Sequence, residues 1–89
     1  MSENKKRPLP PVEFSGLILG LSSAALEALG YIEDSNAKRP PNFGLARHNI
    51  DIIEMLAKKT DGNLNEQEQT LILSVLHDLR QKYVELSKP

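Results

Sequence analysis

FSGLILGLSSAALEALG, Phe14 to Gly30, decides how the rest of this sequence is read. It carries one charge, Glu27, and is otherwise apolar or small. It can be a membrane anchor, part of a soluble core, or a surface for another chain. A spanning helix needs about 20 apolar residues. The uncharged run from Phe14 to Leu26 is shorter, contains Ser15, Ser22 and Ser23, and is followed at once by Glu27. No aromatic belt or basic flank completes a span. The stretch therefore reads as one helix of a water-soluble domain, ended by Gly30, where a left-handed conformation is cheap for glycine.

That helix is apolar over an unusual width. At ~100° per residue, its apolar side chains from Phe14 to Leu29 cover roughly 220° of the circumference. Gly16, Gly20, Ser23 and Glu27 share the remaining line. An ordinary surface helix shows a narrower stripe, and two neighbours from the same chain cannot easily cover so broad an arc. Glycine inside a helix costs about 1 kcal/mol relative to alanine, so two of them ask for a reason. Gly16, Gly20, Ala24 and Ala28 follow at four-residue spacing, and small residues so spaced let two helix backbones approach closely. These four are the candidate subunit interface.

Outward from the helix, the chain is simple. Eighty-nine residues make one small domain. Residues 1–11, MSENKKRPLPP, read as a disordered tail, and 12–88 as a single helical domain. RPLPPV within the tail has the composition of a short polyproline II ligand. The prolines interrupt the basic residues before any apolar run, so no secretory leader is expected and the expected compartment is the cytoplasm. The absence of cysteine removes disulfides and thiolate metal sites. A net charge of −1 and four aromatic residues (two Tyr, two Phe) argue against nucleic-acid binding.

Two further helices follow. Tyr31 to Pro41 reads as a loop closed by two prolines. Asn42 is a good N-cap for a second helix over about 43–60, with Leu45, Ala46, Ile50, Ile52, Ile53, Leu56 and Ala57 on its apolar face. Arg47, Asp51, Glu54 and Lys58 form the opposite, wet face, and Asn49 projects into the apolar one. A buried amide must find partners or cost on the order of 1–3 kcal/mol. Asn49 is therefore a structural polar candidate, bonded to a loop or helix end or fixing register against a partner helix. Asn65 and Glu68 have capping-box spacing for a third helix over about 66–87. Its stripe runs through Leu71, Ile72, Val75, Leu76, Leu79, Tyr83 and Leu86. Leu73 and Val84 fall together outside the stripe and suggest a second contact surface. Asp78 and Arg80 flank Leu79 on opposite edges, so they cannot pair with each other and are expected to meet different neighbours. The expected fold is all-α: three helices, about 13–29, 43–60 and 66–87, in a small bundle completed by oligomerisation.

The motifs PPVEFSGLILGL, SSAAL, NFGLARHNIDIIEMLAKKTDGNL and LHDLRQKYVEL run through the chain from Pro11 to Glu85. In these segments the sequence resembles a small bacterial all-helical family described as a domain of unknown function. The matching positions include Phe14, Ser15, Asn42, Ile50, Asp51, Lys59, Thr60, Gly62, Asp78, Arg80 and Tyr83. Where the family often opens its third helix with threonine–proline, this chain has Asn65 and Glu66. Gly16 and Gly20 are not expected throughout the family. The resemblance implies a bacterial, soluble, helical protein and no known activity.

Candidate chemistry is sparse. His48 and Asp51 share a helix face, with Met55 on the same side, but two ligands without a third make a poor metal site. His77 lies near Thr70, Ser74 and Gln81 on a polar side. No nucleophile–base–orienter set and no phosphate loop is visible. The sequence therefore names no catalytic, cofactor or metal residues and implies no cofactor. The expected function is that of a non-enzymatic helical homo-oligomer, a dimer by preference, acting through protein–protein contacts with an unidentified partner. The alternatives are an enzyme or metal site around His48 and Asp51 completed across a dimer, and peripheral membrane attachment through the first helix.

Overall fold

Asparagines and glycines set the helix boundaries. The computed structural model describes residues 9, 11–31 and 40–88. Among these it contains three α-helices: α1 (Phe14–Leu29), α2 (Phe43–Lys59) and α3 (Glu66–Ser87). The fold is all-α, as expected, and the helix bounds lie within a residue of those read from the sequence. Apart from Leu9 and Pro11, the expected tail lies outside the described residues, and so do Arg7, Pro8 and Pro10 of RPLPPV. Residues 32–39 of the expected loop also lie outside them.

Each helix end is resolved by its local chemistry. α1 ends in a Schellman motif: Gly30 takes φ 91°, its N–H donates to Glu27 O at 3.0 Å, and the Tyr31 N–H donates to Leu26 O at 2.9 Å. These bonds satisfy carbonyls that the helix itself leaves open. The Asn42 side chain accepts from the Leu45 N–H at 3.0 Å and caps α2. The Asn42 N–H in turn donates to Ala28 O at 2.7 Å, which pins the start of α2 to the end of α1. At the far end of α2, Lys58 and Lys59 occupy the last turn, where the helix dipole favours positive charge. Asn65 and Glu68 form the capping box of α3, with bonds of 2.8 and 3.0 Å.

Each helix packs on both others. The main core holds Ile18 and Ala25 of α1, Ile50 and Ile53 of α2, and Ile72, Leu76 and Leu79 of α3. Ile18, Ile53 and Leu79 are completely buried, and each such side chain contributes roughly 1.5–3 kcal/mol by leaving water. A second cluster joins Ala28, Leu29 and Ala46, with Phe43 and Tyr83 packed against it. There the Phe43 and Tyr83 rings meet edge to face, 5.5 Å apart at 81°. The end of α1, the start of α2 and the end of α3 thus meet at one pole, so consecutive helices run up, down and up.

Three positions depart from the sequence expectation. Leu45 is 48% exposed rather than core, because it lies roughly 90° round the helix from the line of Ala46 and Ile53. Leu86 is 39% exposed. Tyr83 already packs on the first residue of α2, so the turn of α3 beyond it runs past its neighbours. Ala28, expected in the subunit interface, is instead buried within the chain against Ala46. A four-residue step advances about 40° beyond a full turn, so three such steps carry the small-residue series from the outer face at Gly16 into the core at Ala28.

Candidate functional surface

The outer face of α1 is built from residues that the bundle leaves uncovered. Ile18, Ala25 and Leu29 point inward and are buried, while Gly16, Leu17, Leu19, Gly20, Ser23 and Glu27 are exposed. Leu17 and Leu19 are 50% and 51% exposed. They stand on either side of the Gly16–Gly20 line and leave a shallow notch between them. A Cβ added at either glycine would meet nothing within 4 Å. No close approach inside the monomer therefore requires these glycines. Ala24 is half-buried at the edge of the notch.

Leu73 and Val84 form a second uncovered surface on α3, 55% and 50% exposed. Both line a shallow hollow of about 500 Å³ with Leu76, His77, Arg80 and Lys88. A neighbouring hollow of about 460 Å³ lies between α2 and α3, bordered by Glu54, Lys58 and Asp61, and it shares Leu73, Leu76 and Arg80. The two make one continuous furrow with a leucine floor and a charged rim.

The polar residues singled out in the sequence are placed apart. Arg80 donates to Glu54 on α2 at 2.7 Å, and Lys82 donates to Asp78 at 2.7 Å. Arg80 thus reaches a neighbouring helix as expected, whereas Asp78 pairs with Lys82 of its own helix and not with a neighbour. The hydrogen bond it donates to Asp78 raises the pKa of Lys82 above its ordinary value, and the Lys82 ammonium also lies 5.6 Å from the Tyr31 ring centre. Asn49 is 8% exposed, and its amide donates to Leu45 O at 3.1 Å. It is satisfied by its own helix, not by a loop or helix end. Asp51 accepts from Arg47 at 3.3 Å, and that bond raises the pKa of Arg47. His48 and Met55 are exposed beside this pair. Among the described residues, no three His, Asp or Glu side chains converge as metal ligands, and no helix is long and apolar enough to cross a membrane.

The Arg80–Glu54 bridge was not legible in the sequence, because the two residues lie 26 positions apart on different helices. The only signal was that Arg80 sat at the edge of the apolar stripe of α3; Glu54 was read on the wet face of α2.

The family model for a domain of unknown function (DUF1844) matches residues 11–85. The chain belongs to this family. No curated protein and no solved structure matches it. The DUF1844 match covers α1 and α2 entirely and α3 as far as Glu85.

Proposed function

We propose that this DUF1844 chain is a non-enzymatic helical homo-oligomer, a homodimer by preference, that acts by binding another protein, with the outer face of α1 in the subunit interface. One observation carries the reading. Leu17 and Leu19 are half exposed beside two glycines of α1, Gly16 in its first turn and Gly20 in its interior, that no neighbour in the monomer requires. Each glycine weakens the helix by about 1 kcal/mol relative to alanine, and a backbone-close contact from a second chain supplies the missing reason. The cysteine-free composition is compatible with work in the reducing cytoplasm.

Size-exclusion chromatography with light scattering tests the assembly. A dimer at micromolar concentration is expected, and a monomer throughout that range overturns the proposal.

A further inference from the structure

The turn between α2 and α3 carries an aspartate–glycine pair, Asp61–Gly62. The Asn63 N–H donates to Thr60 O at 2.8 Å and closes the turn around this pair. Gly62 takes φ 88°, while among the described residues no residue other than glycine has a positive φ. This is the pattern of a type II turn, which calls for glycine at its third position. The closing bond joins the first and fourth residues, so the central peptide faces outward. Accordingly, the Gly62 N–H makes no backbone hydrogen bond among the described residues. Asp61 and Gly62 are both exposed. The space around Gly62 is open, since a Cβ added there would meet nothing within 4 Å. The Asp61 carboxylate takes no part in the ion pairs of the described residues.

An electrophile and a nucleophile thus stand one residue apart with nothing holding either. The Gly62 nitrogen can close a five-membered ring on Asp61 Cγ. The N–Cγ bond forms and the Cγ–OH bond of the protonated carboxyl breaks. The hydroxyl leaves with the Gly62 amide proton as water. Water then adds back to one of the two ring carbonyls. Opening at Cγ restores aspartate. Opening at the main-chain carbonyl of Asp61 leaves the chain running through Cγ and frees the α-carboxylate. No atom is gained or lost overall, and nothing is oxidised or reduced. After most aspartates this nitrogen is shielded by a side chain or committed to a helical bond; at Gly62 it is neither. Asp51 and Asp78, by contrast, lie inside α2 and α3, followed by Ile52 and Leu79.

We propose that Asp61–Gly62 is a site of spontaneous backbone isomerisation, at which the folded chain accumulates isoaspartate as it ages. The product carries one more backbone atom between Asp61 Cα and the Gly62 nitrogen. That atom opens the turn and breaks the bond between Asn63 and Thr60. It also moves the charge of residue 61 at the rim of the furrow between α2 and α3. The capping box at Asn65 and Glu68 keeps its own bonds, so the junction loosens without unwinding α3.

The test ages the full chain in neutral buffer well below its melting temperature, beside a sample held unfolded in urea and an Asp61→Glu variant. Electron-transfer fragmentation of proteolytic peptides distinguishes isoaspartate from aspartate position by position. In the folded chain, isoaspartate at position 61 is expected to exceed that at Asp51 or Asp78 by about tenfold or more, because the Gly62 nitrogen is free and unshielded. Asp61→Glu keeps the charge but would need a larger ring, which closes more slowly, and it is expected to show no conversion at that position. Conversion at Asp61 in urea but not in the folded chain overturns the proposal, since the turn would then hold the pair out of reach. Equal conversion at Asp51 and Asp78 also overturns it, and this comparison within one chain needs no variant. The isoaspartyl form, separated by ion exchange, is expected to melt roughly 4–8 °C below the fresh chain through loss of the turn bond. An unchanged melting temperature refutes the opening of the turn.

Discussion

Replacing Gly16 and Gly20 together with alanine separates the stability of the helix from its role in association. Neither glycine has the positive φ that would strain an alanine, and neither added Cβ meets an atom within 4 Å. The substitution therefore carries no steric penalty inside the monomer. Each change removes the backbone freedom that glycine keeps in the unfolded chain and contributes about 1 kcal/mol. Two give about 2 kcal/mol. In a domain of this size 1 kcal/mol corresponds to roughly 4–8 °C, so the melting temperature should rise by about 8–16 °C. Association should move the other way, because two methyl groups fill the notch between Leu17 and Leu19 and hold an incoming helix further off. The assay is a thermal melt by circular dichroism at concentrations where light scattering finds monomer, followed by a dilution series for the dimer. Working with monomer first matters, since binding of a second chain itself raises apparent stability. An unchanged or lowered monomer melting temperature would refute the reasoning that these glycines face open space. A raised melting temperature with unaltered association would show that the notch lies outside the interface.

Other substitutions probe the fold. Asn65→Ala removes the side chain that accepts from the Glu68 N–H at 2.8 Å, and should cost about 1 kcal/mol in urea denaturation; an unchanged midpoint would show that the capping box contributes nothing. Arg80→Ala should cost less than about 1 kcal/mol, because its bridge to Glu54 is roughly half exposed. A double-mutant cycle with Glu54→Gln should show a favourable coupling of about 0.2–1 kcal/mol, and zero coupling would mean the 2.7 Å contact is energetically silent. Asn49→Leu should change stability by less than about 1 kcal/mol, because the Leu45 carbonyl keeps its helical bond and no acceptor is orphaned. A loss above about 2 kcal/mol, or a changed oligomeric state, would reveal another partner for this amide.

The sequence alone determined the number, type and limits of the helices, because those depend on local chemistry. Asn42, Asn65 with Glu68, and Gly30 act on backbone groups within a few residues of themselves. The apolar spacing through Ile50, Ile53, Ile72, Leu76 and Leu79 likewise identified side chains that are buried in the fold. The width of the apolar arc on α1 indicated that some of it would stay uncovered.

Tertiary structure alone decided which part stayed uncovered. A helical projection gives the angle of a side chain but not the direction or reach of its neighbours. Ala28 therefore belonged by spacing with Gly16 and Gly20, yet it is buried against Ala46. Leu86 continued the stripe of α3 but extends past the pole where Tyr83 meets Phe43. The pairing of Arg80 with Glu54, and the furrow that joins α3 to α2, required two helices to be set side by side. Local bonds fix where a helix starts and stops, whereas the surface left for a partner depends on how closely the other two helices crowd it.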